Sequence, residues 1–255
     1  MTGASYTTWF ADAFKKVSKV IKVLFVAVSV CNTGVLLPYF ENAVENATNF
    51  ISRCSYNQLH IDASIIPFTV QIPCGMSTNC DTETWAQLTD TSIQRYSQAN
   101  PNNFNHIVYI VPYGLCPFVG LGDIGPCNGY CRIWVTADKY NVSSVYLHEL
   151  GHNLGLYHSG YNGQEYGDLS SAMGGCCDQR CFSAVEEYVL NWTKPKVDIQ
   201  NPKLKLKHTV VLASRPIPEN NQIELAPNEY IKYNDYFIQY RKNKWDLEFI
   251  NDQFR

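Results

Sequence analysis

The sequence has no surplus of positive charge, and that lack argues against a whole class of partners. Its 20 Lys and Arg stand against 23 Asp and Glu, for a net charge of −3 and a pI near 6.1. No basic face is available to hold a phosphate backbone, so nucleic acid is not an expected partner. There is also no block of like charge, no internal repeat and no low-complexity tract, hence no solvating tail and no solenoid. Only one apolar run raises the question of a membrane: Val23 to Phe40, eighteen residues without a charge, preceded by Lys15, Lys16, Lys19 and Lys22. A late signal peptide or an anchor has that form. Asn32-Thr33-Gly34 and Pro38 interrupt the run, however, and Ile21 to Cys31 is β-branched in the manner of a buried central strand. The strand is the favoured reading, and no stable membrane insertion is expected.

Cysteine, by contrast, is plentiful. Ten in 255 residues, an even number, fit disulfides formed in an oxidising compartment. No pair of CxxC knuckles offers the alternative of a cysteine zinc site. Close pairs such as Cys74/Cys80, Cys127/Cys131 and Cys176 or Cys177 with Cys181 would staple loops, although the full connectivity is not deducible. Three sequons, at Asn46, Asn141 and Asn191, are compatible with a secretory route and an extracellular protein.

The hydrophobic pattern predicts a mixed α/β sheet with helices against it. After the first strand, Val44, Ala47, Phe50 and Ile51 give Glu41 to Cys54 one buried helical face. Leu59 to Ile72 reads as one or two strands, Thr82 to Ala99 as a helix, and His106 to Val111 as a second buried strand. Four Gly and three Pro punctuate a loop from Pro112 to Asn128, and Tyr130 to Val135 reads as an edge strand. Beyond Trp192, Lys203 to Lys207 alternates strictly and Glu229 to Tyr240 is rich in Tyr, Ile and Phe, which predicts a small β-rich region. The expected organisation is an N-terminal leader or extension over 1–19, a main domain over 20–194 and a C-terminal β-rich region over 195–255.

Histidine is scarce, six in the chain, yet three fall between His148 and His158. Val142 to Leu156 reads as a helix, with Asn141, Ser143 or Ser144 able to cap it. His148 and His152, four apart, project from one face and can hold one metal ion. Gly155 tolerates the turn that ends the helix, and His158 can then swing back as a third ligand. Three protein ligands with one open position describe a catalytic zinc, Zn2+, rather than a structural one. Glu149 lies beside that position, where a carboxylate can take a proton from the attacking water and pass it to a leaving amine. His60, His106 and His208 each stand alone and are not expected at the metal.

HExxHxxGxxH, followed fifteen residues on by Ser171-Ala172-Met173-Gly174, resembles the metzincin metalloproteases and their methionine turn. The resemblance implies that Met173 forms a hydrophobic floor beneath the metal. Closer still, His148 to His158 with Glu165-Tyr166-Gly167-Asp168 and Ser170 to Gly174 resembles the gametolysin family of cell-wall lytic metalloproteases. Phe50 to Leu59 and Tyr236 to Arg241 are similar to it as well. The likeness implies a metzincin-like catalytic domain, a zinc endopeptidase activity, a polypeptide or glycoprotein substrate of wall or matrix type, and a substrate strand laid against an edge strand, here Tyr130 to Val135. Some metzincins place a metal-facing tyrosine two residues after the methionine, where this chain has Gly175. Tyr157 or Tyr166 could stabilise an oxyanion instead, though each is better read as a packing residue. Cys74 in Pro73-Cys74-Gly75 only faintly resembles an inhibitory cysteine switch. The rival readings are a non-proteolytic zinc hydrolase or amidase, which would share every ligand, and a binding or adhesion module on a decayed protease scaffold, which would not need Glu149.

Overall fold

The computed structural model describes residues 19–75, 79–200 and 229–239. Within them the order is β1 (Lys19–Val30), α1 (Phe40–Cys54), β2 (Leu59–Ile65), β3 (Val70–Ile72), α2 (Thr82–Tyr96), β4 (His106–Val111), β5 (Gly120–Gly122), β6 (Cys131–Thr136), α3 (Ser143–Asn153), α4 (Ala184–Val189), β7 (Val197–Ile199), β8 (Tyr230–Tyr233) and β9 (Tyr236–Gln239). Residues 1–18 and the alternating Lys203 to Lys207, like His208, lie outside the described residues.

The β-branched run is a strand, and it is central. β1 pairs in parallel with β2, β3 and β4, and the main sheet runs β2-β1-β4-β6-β5. Alternate residues of β1 serve two cores, as the two-residue period of a strand requires. Val23 and Phe25 face α1 and α3 together with Val108, Ile110, Ile133 and Val135. Leu24 and Val26 face Trp85 and Ile93 of α2 with Ile107, Tyr109 and Trp134. A strand covered on both faces has no polar side to show, which is why its sequence resembles an anchor. No helix among the described residues is long and apolar enough to cross a membrane.

The predicted edge is corrected here. Tyr130 to Val135 is β6 with Cys131 as its first residue, and it has neighbours on both sides: β4 in parallel and β5 antiparallel. The edge on this side of the sheet is β5, in the glycine-rich stretch after Pro112 that reads as a loop in the sequence. Two Gly around Leu121 lower strand propensity, so tertiary contact rather than local preference makes this strand.

All ten cysteines are paired: Cys31–Cys74, Cys54–Cys181, Cys80–Cys116, Cys127–Cys131 and Cys176–Cys177. Of the close pairs expected from spacing, only Cys127/Cys131 forms; Cys74, Cys80 and Cys181 reach partners 36 to 127 residues away. Chain proximity is a weak guide because the sheet brings distant segments together. Alkylation without reductant, read by mass spectrometry, should find these thiols blocked; eight or more free thiols would refute the framework.

The small sheet β7-β8-β9 sits against α4. Phe237 packs on Tyr188, and the Gln239 side chain accepts from the Ala184 amide at 3.2 Å. Asn46, Asn141 and Asn191 are all exposed.

Candidate metal centre

α3 lies over β5 and β6 and is pinned to them at its end. Asn153 donates to the carbonyls of Asp123 (2.8 Å) and Arg132 (3.1 Å) and holds His106 through its Oδ1 (2.9 Å). His106 is thus a satisfied core residue, and His60 meets Ser52; neither joins the metal group. No side chain caps the start of α3: Val142 is the N-cap, and the Ser144 hydroxyl donates instead to the Cys177 carbonyl at 2.8 Å. The helix is also shorter than the predicted Val142 to Leu156.

Its end explains the third histidine. Gly155 has φ +93°, its amide donates to the His152 carbonyl (2.8 Å), and the Leu156 amide donates to the Gly151 carbonyl (2.9 Å). This pair of bonds closes a left-handed glycine turn and sends the chain back across the helix. His148, His152 and His158 then converge, with one ligand atom of each within 4.8 Å of the others.

The orientation of the rings decides which atoms face inward. His148 Nδ1 meets the Ala172 carbonyl (2.7 Å), His152 Nδ1 the Leu156 carbonyl (2.8 Å) and His158 Nδ1 the Glu165 carboxylate (2.6 Å). Every one of these partners is an acceptor, so each Nδ1 carries the proton and each Nε2 keeps its lone pair. Nε2 of His152 and Nε2 of His158 are 3.0 Å apart. Two bare lone pairs at that distance repel unless a cation lies between them, and three imidazole nitrogens suit zinc. Burial pushes the His148 pKa down to about 4 and lowers that of His152, so both are neutral, as ligands must be.

Glu149 is only 5% exposed, beside the group. Burial alone raises its carboxyl to about 8 in the metal-free chain. A cation on the histidines would act in the opposite sense. Room for this side chain is made by β5: a Cβ on Gly120 would collide with the Glu149 carboxylate, and one on Gly122 would stand 2.6 Å from the Glu149 carbonyl. Gly120→Ala should therefore leave the thermal transition nearly unchanged while shifting the carboxylate; an ångström-scale displacement costs on the order of a hundredfold in rate. A Gly120→Ala chain as active as the parent would show that the carboxylate's placement there is immaterial.

Met173 is fully buried against the site helix, and a Cβ on Gly151 would stand 2.5 Å from its Sδ. The mid-helix glycine, costly to helix stability, is thus explained by the methionine packed against it. The loop carrying Met173 is held from below by α4. Ser171 Oγ donates to the buried Glu186 carboxylate (2.6–2.7 Å) and accepts from the Met173 amide (3.0 Å). The Ala172 amide donates to the carbonyl of Cys181, which is tied to α1 by its disulfide. Glu165 and Ser171 lie in stretches that carry the family resemblance, but their contacts were not legible there, and Gly120 and Gly122 carry no motif at all. Cys74, bonded to Cys31, is no free thiol switch. Tyr157 and Tyr166 are not buried packing residues either: they are 74% and 46% exposed.

A profile of the family described as gametolysin peptidase M11 matches residues 26–246. The chain belongs to the gametolysin peptidase family. Among its relatives is a protein named autolysin from Chlamydomonas reinhardtii, 33% identical over 94 residues, which make up 34% of this chain and 15% of that protein. The chain thus spans a minor part of that relative's length. Distant likenesses in structure include archaemetzincin from Methanopyrus kandleri, with 14% identity and a TM-score of 0.40 over 67% of this chain and 93% of the other. Metalloproteinase-II from Bacteroides fragilis has 13% identity and a TM-score of 0.44 over 69% of this chain and 54% of the other. What the fold itself displays is a mixed α/β domain in which the site helix packs against the loop that carries Met173.

Proposed function

We propose that this gametolysin family member is a zinc endopeptidase of the metzincin type, acting on extracellular proteins of cell-wall or matrix kind. The observation that carries the reading is the convergence of three Nδ1-protonated histidines beside a buried carboxyl that has no other assigned task. His148, His152 and His158 are the proposed zinc ligands, and Met173, buried against the same helix, is the proposed apolar floor. Zinc, when bound, would polarise the scissile carbonyl and make the attacking water more acidic. Glu149 accepts the proton of that water at a carboxylate oxygen and delivers it to the leaving amine nitrogen. Burial keeps bulk water from that oxygen.

The substrate edge moves from Tyr130–Val135 to β5. An extended chain laid along Gly120–Gly122 would gain backbone hydrogen bonds and pass over Glu149. A polypeptide or glycoprotein of the wall or matrix fits the relative named autolysin, and five disulfides favour secretion. We assign 20–194 as the catalytic domain and 195–255 as a separate C-terminal region, whose described strand β9 packs against α4. Metal analysis of the full chain with casein or gelatin digestion tests the reading: about one zinc per chain, digestion lost to a chelator and recovered with zinc. A zinc-loaded chain that cleaves no member of a peptide library but hydrolyses small amides would transfer the reading to a small-substrate amidase.

A further inference from the structure

Next to the three histidines, the hydroxyl of Tyr166 makes no hydrogen bond among the described residues. Its ring is nevertheless tightly placed. It lies against His158 with centroids 4.1 Å apart and runs near-parallel to His148, 25° between planes at 6.3 Å. Tyr166 therefore borders two of the proposed metal ligands.

The placement is built by the loop that follows His158. The Ser159 amide donates to the Met173 carbonyl (2.8 Å), Ser159 Oγ donates to Asp168 Oδ2 (2.8 Å), and the Asp168 amide donates to the Ser159 carbonyl (3.1 Å). The loop is thus closed at its base. Within it Gly167 passes so near Tyr161 that a Cβ would stand 2.5 Å from the Tyr161 carbonyl oxygen. The closed loop returns two consecutive residues to one imidazole: Glu165 to the Nδ1 edge of His158 and Tyr166 to its face. The other tyrosine adjoining this ligand, Tyr157, points into solvent and has no ring contact with the histidines.

A fixed ring, a half-exposed position and an unspent donor are what preorganised stabilisation of a developing charge requires. We propose that Tyr166 is a catalytic residue whose hydroxyl donates a hydrogen bond to the scissile carbonyl oxygen as that oxygen gains negative charge. The assignment rests on the peptidase reading above. It differs from a packing role in a simple way: packing needs the ring, whereas donation needs the hydroxyl.

Tyr166→Phe separates the two, because it keeps the ring and removes the donor. On the full zinc-loaded chain, the zinc content should stay near one per chain and kcat/KM for a peptide should fall about a hundredfold, the usual cost of one oxyanion donor. Affinity for a phosphinic peptide, whose tetrahedral phosphorus carries an oxygen where the attacked carbonyl oxygen would be, should fall by a similar factor in calorimetry. Binding of an uncleaved peptide, measured in a Glu149→Gln background, should not change, and Tyr157→Phe should match the parent. Retention of zinc with kcat/KM within about threefold of the parent would overturn the proposal, as would loss of zinc from Tyr166→Phe. A parent chain that cleaves no peptide would instead defeat the peptidase reading itself.

Discussion

Glu149→Gln should keep about one metal ion per chain while peptide hydrolysis falls by at least about a hundredfold, the lower end of what general-base catalysis contributes. The amide copies the shape of the carboxylate and leaves His148, His152 and His158 untouched, but it cannot accept a proton from the attacking water. A second readout uses the metal-free chain. Burial raises the Glu149 carboxyl from 4.5 to about 8, so the folded state binds a proton that the unfolded state releases in that interval. Stability must therefore decline as pH rises from about 4.5 to about 8, through this group alone. Glu149→Gln removes the decline, and its metal-free thermal transition at pH 8 should lie above that of the parent. Hydrolysis at the parent rate with zinc bound would refute Glu149 as the base.

His158→Ala should fail at the earlier step, with metal content falling well below one per chain and activity falling with it. Two histidines from one helix hold two corners of a tetrahedron; the third corner comes from the returning chain. His158 is also the proposed ligand whose Nδ1 rests on an exposed carboxylate, Glu165, rather than on a backbone carbonyl. Partners of that kind typically contribute about tenfold to a hundredfold in metal affinity, so Glu165→Ala should weaken zinc binding less than His158→Ala does. Titration against a chelator orders the three proteins as parent, Glu165→Ala, His158→Ala. A His158→Ala chain that kept stoichiometric zinc would remove His158 from the site. The contrast between the two replacements is the sharper evidence: one loses turnover with the metal in place, the other loses the metal.

Much of the centre could be read from residues 148–158 because its causes are local. Side chains four apart share a helix face whatever surrounds them, and a glycine at the turn permits a positive φ in any context. The strand reading of Ile21 to Cys31 succeeded for a related reason, since a β-branched run broken by Asn-Thr-Gly and Pro suits a doubly covered strand better than a long helix. The edge strand and the disulfides were misjudged because both depend on partners remote in sequence. β5 exists through its pairing with β6, and Cys54 meets Cys181 across 127 residues.

The sequence by itself therefore determined which residues are the proposed donors, His148, His152 and His158 with Glu149 beside them, and the buried character of the first strand. Only the tertiary structure decided that each Nδ1 is occupied so that Nε2 faces inward, that Glu186 and Ser171 hold the loop under Met173, and that β5 makes room for Glu149 with two glycines. Helical period and glycine turns are properties of a few consecutive residues, whereas hydrogen bonds such as that between His148 and Ala172 arise only when packing brings separate segments together.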